Sequence, residues 1–264
     1  MADFSAKDVQ RLRQQSGAGM MDAKKALVEN DGDFEAAAAW LREKGLAKAS
    51  SRSDRENTEG VVAAKVDGSV AAAVELKCET DFVAKSDQFI AMADEILGLV
   101  LSDGVDAAAA KSTAIDDMRV TLKENIELGR VVRFEANEGQ AIDAYVHIQN
   151  GRGVNAVLVH LSQGTTDTAR DVAMHAAFSR PGFVSRDEVP EDEVAAERET
   201  LANITRNEGK PEQAIDKIVE GRLTGWFKER VLLDQGWVKD DKMSVAKMLG
   251  DAEILGFAQI EIGS

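Results

Sequence analysis

The sequence predicts an α+β fold with antiparallel sheets, on three observations. Apolar residues alternate with period two in several short runs, and a short turn at Asp67-Gly68 joins the first two. Between and beyond them lie stretches whose apolar residues recur at helical spacing. The order hairpin, polar loop, helix then occurs twice in the middle of the chain, as a weak internal duplication would produce.

Ser5-Ala6-Lys7-Asp8 has the form of a capping box with Asp in the Glu position, opening a helix that turns Val9 and Leu12 inward. Ser16-Gly17-Ala18-Gly19 stops it. A second helix runs from about Asp22 through Leu27 and ends at Asn30-Asp31-Gly32. Asp33 caps a third, which carries Phe34, Ala37, Trp40 and Leu41 and is expected to end at Gly45. The core these helices can share, around Leu12, Leu27, Phe34 and Trp40, is small, so the module should dock on something else. Residues 47–57 hold no apolar run and are rich in Ser, Lys and Arg, which marks a linker or surface crossing.

Residues 61–66 and 70–77 read as strands joined by a tight turn, for which Asp-Gly supplies positive backbone angles cheaply. Val70, Ala72, Val74, Leu76 and Cys78 form the apolar side of the second. Helical spacing resumes over residues 86–101, with Ser86 as N-cap, and again over 116–128. Between strand and helix stands Thr80-Asp81-Phe82-Val83, where Phe82 and Val83 belong to neither apolar stripe. Strand patterns return at residues 131–135, 141–148 and 154–161. A helix through Val172, Ala173, Ala176 and Ala177 follows, with Thr166 as its cap and Pro181-Gly182 as its stop. Helical runs from Pro190 to Gly209 and from Pro211 through Phe227 make an antiparallel helical hairpin, and its thinly apolar, acidic first arm suggests that it projects. Residues 243–250 read as a helix and 255–262 as a last strand returning to the second sheet. The expected organisation is therefore a helical module at 1–46, a linker at 47–57, a first core subdomain at 58–129 and a second at 130–264, with the hairpin at about 188–230 inserted.

A chain of 264 residues with 44% hydrophobic and 30% charged residues is globular material that can bury a sizeable core. No apolar run is long enough to span a membrane, and the first residues have no targeting character, so a cytoplasmic protein is expected. The net charge of −15 disfavours direct nucleic-acid binding, which needs a basic footprint; the stretch from Arg42 to Arg55, through Lys44, Lys48 and Arg52, is the main local exception. Cys78, the sole cysteine, reads as a buried thiol on a strand face.

The sequence contains no phosphate-binding glycine loop and no dinucleotide fingerprint. The three histidines, His147, His160 and His175, lack paired metal-ligand spacing, although His147 and His160 could approach each other across paired strands. Without a nucleophile in an elbow, the case for an enzyme is thin. Asp81 alone is not a catalytic site. Spacing alone favours Phe82 as a hydrophobic staple packed on its own following helix.

Thr80-Asp81-Phe82-Val83, with Leu12-Arg13, Ser16-Gly17-Ala18-Gly19-Met20-Met21-Asp22 and Lys24-Lys25-Ala26-Leu27, closely resembles the bacterial translation elongation factor Ts family. Glu124-Asn125-Ile126, Ala173-Met174-His175 and Val219-Glu220-Gly221-Arg222 extend the resemblance over essentially the whole chain. It implies a ubiquitin-associated-like N-terminal module, two related α+β subdomains and an inserted helical hairpin. It also implies a guanine nucleotide exchange factor, without covalent chemistry or cofactor, that promotes GDP release from elongation factor Tu and binds that partner both with GDP and nucleotide-free. By the same resemblance Asp81 and Phe82 intrude beside the partner's nucleotide site and disturb its Mg²⁺, Thr80 and Val83 shape the loop, and Leu12, Arg13, Met20, Met21 and His147 join the interface. Ser16 stands where the family commonly has Thr and Ala23 where it has Cys, and the turn at 149–153 looks longer than in some relatives. The hairpin is where dimerisation varies in the family, so a homodimer through it stays open. The alternative is a protein-binding adaptor that uses the helical module.

Overall fold

The computed structural model describes residues 4–50 and 54–263, with the side chains of 46–50 excepted. Arg52 and the Lys48 side chain, expected in the basic linker, lie outside the described residues.

Three helices open the chain: α1 (Ala6–Ser16), α2 (Met20–Glu29) and α3 (Phe34–Ser50). Ser5 and Asp8 form the capping box, each side chain meeting the other's backbone N–H, and Gly17 ends α1 in the left-handed region at φ 66°. Asp33 Oδ1 accepts from the Ala36 N–H at 2.9 Å at the start of α3. The expected stop at Gly45 is overturned: α3 runs through it to Ser50. The reason is tertiary. A Cβ at position 45 would lie 2.6 Å from Val120 Cγ1, so glycine here permits close helix packing rather than chain termination.

The hairpin β1 (Glu59–Asp67) and β2 (Val70–Cys78) leads through a one-turn helix, α4 (Asp81–Ala84), into α5 (Asp87–Asp103). Ser86 occupies the N-cap position of α5 but its hydroxyl donates to the Val83 carbonyl at 2.8 Å and caps nothing. α6 spans Ser112–Leu122 and ends where Lys123 turns left-handed, short of the expected residue 128. Glu127–Glu135 is already β3, and it pairs with β2. This corrects the phase of the internal duplication, which the sequence pattern started at residue 130. The repeating unit is hairpin, helix and a third strand laid beside the hairpin's second strand. Its first copy has strand order β1-β2-β3, and its second copy consists of β4 (Ala141–Gln149), β5 (Arg152–Leu161), α7 (Thr166–Ser179) and β8 (Ile254–Glu261), in order β4-β5-β8. Thr165, rather than Thr166, caps α7, accepting from the Thr168 N–H at 3.1 Å.

Between α7 and β8 lie α8 (Glu191–Asn207) and α9 (Glu212–Arg230), the short pair β6 (Gly236–Trp237) and β7 (Asp240–Ser244), and α10 (Val245–Leu249). Met243 and Ser244 are thus strand, not helix. The principal packing partner of α8 is α9; Val194 and Leu201 meet Leu223 and Phe227. Among the described residues no helix is long and apolar enough to cross a membrane.

The two sheets stack face to face with a helix on each outer face. Alternation puts Val74, Leu76 and Cys78 toward α5, with Phe89, Ile96 and Val100, and puts Ala71 and Ala73 toward the other sheet, with Ala156 and Leu158. Val157, Val159 and Leu161 face α7 on the far side. Small residues at the centre let the sheets approach closely. A Cβ on Gly153 of β5 would stand 2.1 Å from the carbonyl oxygen of Val62 in β1.

Candidate functional site

The turn after β2 separates its four residues into two faces. Thr80 caps α4, its hydroxyl accepting from the Val83 N–H at 3.4 Å. Val83 and Ala84 pack into the core beneath α5. One helical turn holds those two inward, so Asp81 and Phe82 point out. Phe82 is 83% exposed, which overturns the hydrophobic-staple expectation: the ring does not pack on its own helix. An aromatic ring left in water on a rigid turn has no stabilising role in the free fold. Asp81 pairs with Lys85 one turn on, and that hydrogen bond holds its carboxyl below the usual carboxylate range.

A polar network that sequence reasoning missed fixes this turn. Glu124 Oε2 accepts from the N–H groups of Glu79 and Thr80, both at 3.1 Å, and its Oε1 accepts from the Thr80 hydroxyl at 2.5 Å. In return the Asn125 N–H donates to Glu79 at 2.7 Å, and Arg55 reaches the same Glu79 carboxylate at 3.3 Å. The available signal was Glu124-Asn125-Ile126 itself, but a helix extended to residue 128 left Glu124 on a helix face. Beside the network, the Cys78 thiol is fully buried and donates to the Thr80 carbonyl. Burial first, then the nearby Glu124 charge, push it up to about 12, so it is a structural thiol.

Two struts connect the elements that carry the other expected site residues to this part of the fold. Arg152, at the start of β5, donates to the carbonyl of Gly60 and pairs with Glu59, which lies opposite Cys78 in the first sheet. That ties the β4–β5 hairpin tip, with exposed His147 and Ile148, to the strand end that carries Thr80. On the opposite flank the helical module docks on α6: Arg42 pairs with Asp117 at 3.1 Å and Gly17 lies against Thr121. The Gly17–Gly19 turn therefore sits beside the end of α6 that continues into Glu124. It presents exposed Arg13, and Met20 and Met21 at 47% and 73% exposure. Leu12 differs from these. It is completely buried in the module's core and has no surface to offer.

The remaining histidines have structural surroundings. His147 lies opposite Asn155 and His160 opposite Ile142, so the register keeps the two apart and removes the expected approach between them. Burial lowers the pKa of His160, whose Nε2 meets Gln140 Oε1 at 2.9 Å. His175 is buried against Trp237, with Nδ1 accepting from the Val238 N–H and Nε2 at 3.0 Å from Gln235 Oε1. This fixes the neutral Nε2–H tautomer and leaves it to fasten the segment after α9 onto α7.

A family model described as Elongation factor TS matches residues 79–264. Elongation factor Ts of Clavibacter michiganensis subsp. michiganensis is 44% identical with full coverage of both chains. The same-named protein of Pseudarthrobacter chlorophenolicus is 42% identical, again over all of both chains. That of Acidothermus cellulolyticus is 43% identical over 100% of this chain and 99% of its own.

Proposed function

This chain belongs to the elongation factor Ts family of translation factors, and from that premise we propose that it is a nucleotide exchange factor for elongation factor Tu. It binds the GDP-bound partner, loosens nucleotide and Mg²⁺, and holds the nucleotide-free form until GTP enters. The observation that carries this reading is the exposed Phe82 on a turn clamped from behind, a side chain whose burial gain is reserved for another molecule.

The mechanism is competition between two ligands of one partner. If the factor favours the nucleotide-free partner, linkage requires that nucleotide weaken the factor by the same ratio, so neither is trapped. Phe82 acts as a wedge beside the nucleotide site, and the rigid turn means that little ordering entropy is lost when it inserts. Asp81 acts on the Mg²⁺ shell once its carboxylate is shared with or released from Lys85. Thr80 and Val83 hold the turn in shape. Arg13, Met20, Met21 and His147 supply flanking contacts, while Leu12 belongs to the module's core.

The decisive experiment follows labelled GDP leaving purified elongation factor Tu. Substoichiometric amounts of this chain should accelerate release with turnover; no acceleration at catalytic amounts would refute the proposal. The roles of Asp81 and Phe82 separate in the same assay. The carboxylate can disturb Mg²⁺ only when Mg²⁺ is present, so the defect of Asp81→Ala should shrink in chelator while that of Phe82→Ala persists. Equal Asp81→Ala defects with and without Mg²⁺ would remove that division of labour.

A further inference from the structure

We propose that Glu124 is a positioning residue for nucleotide exchange, acting through the turn that presents Phe82; the assignment rests on the exchange reading above. Its carboxylate takes three hydrogen bonds from two consecutive residues, Glu79 and Thr80, immediately before half-buried Asp81 and exposed Phe82. Without Glu124, two backbone N–H groups at the end of β2 lose their acceptor and the cap of α4 loses its anchor. Glu124 is itself held from both sides. Before it, Lys123 ends α6 at φ 63° with its N–H on the Arg119 carbonyl at 3.1 Å. After it, Ile126 is fully buried and its carbonyl accepts from Arg119 Nε at 2.5 Å. The clamp therefore transmits the position of α6 to the wedge, and α6 is also the helix on which the N-terminal module docks through Arg42–Asp117. Glu124 thus lies on the path between the helix that carries the N-terminal module and the turn that presents Phe82.

The test uses the full chain as Glu124→Ala, Glu124→Gln, Phe82→Ala and the double variant Glu124→Ala/Phe82→Ala. GDP release from elongation factor Tu is measured alongside hydrogen exchange at the Glu79 and Thr80 amides of the free chain. Glu124→Ala should slow nucleotide release on the order of tenfold, through kcat rather than KM. It should also speed exchange at both amides, and it should add nothing to Phe82→Ala. Glu124→Gln keeps an oxygen toward the amides and can offer its NH₂ to the Thr80 hydroxyl, so it should recover to within about threefold of the parent. Defects that multiply in the double variant, or a Gln variant as impaired as Ala, overturn the assignment. Should the unsubstituted chain release no GDP, the exchange reading falls and amide protection judges the clamp alone. The clamp stands if protection is lost in Ala and kept in Gln, and falls if Ala leaves it unchanged.

Discussion

Phe82→Ala should reduce GDP release from elongation factor Tu by about 10- to 100-fold while leaving the fold intact. Burying a Phe side chain is worth roughly 1.5–3 kcal/mol, and a tenfold rate change corresponds to about 1.4 kcal/mol. In the free chain almost none of that gain is realised, because the ring is 83% exposed. If it is realised as nucleotide is displaced, truncation lowers kcat rather than merely raising KM. The control is stability. An exposed side chain without packing partners should shift unfolding by no more than about 0.5 kcal/mol. Unchanged exchange would remove the wedge role, and a large loss of stability would show that Phe82 serves the fold.

Gly153→Ala should have the largest effect on stability, about 3 kcal/mol, and lower the melting midpoint by about 6 to 12 °C. The added methyl would meet a backbone oxygen, Val62 O, at 2.1 Å and Val146 Cγ1 at 2.9 Å, and backbone in the middle of a paired strand cannot yield cheaply. The sheets would have to separate where Arg152 ties the His147 hairpin to β1. Gly182→Ala is the matched control, since a Cβ there meets nothing within 4 Å and the position has no positive φ. Thermal unfolding of the two variants checks this. Equal midpoints would mean that the crossing of β1 and β5 is looser than described.

Local patterns were legible wherever the chain's own periodicity or capping chemistry decides the outcome. The Ser5–Asp8 box and the helical hairpin follow from interactions within a few residues. Asp67-Gly68 locates the β1–β2 turn one residue early, since Asp67 pairs with Val70 and Gly68-Ser69 make the turn, with the positive φ at Gly68. The alternation along β2 tells which residues share a face but not that the second sheet buries the other face too. Local preference misleads where a distant partner overrides it. Gly45 looks like a stop until Val120 is placed against it, and Phe82 looks like a staple because spacing cannot say whether a ring meets its own helix or water. The residue types at Thr80–Val83 stand out in sequence, whereas their support from Glu124, Arg55 and Asn125 depends on contacts across 24 to 70 positions.

By itself the sequence determined the class of the fold and most of its elements, because these rest on periodicity and turn chemistry, and the family, because its motifs match residue by residue. Only the tertiary structure decided which strand closes which sheet. β3 joins the first and β8 the second, since strand pairing is chosen by distant hydrogen bonds and by which face finds an apolar partner. It also decided that Phe82 faces outward. The inner side of its single helical turn is already occupied by Val83 and Ala84, and Glu124 fixes the backbone that brings them there.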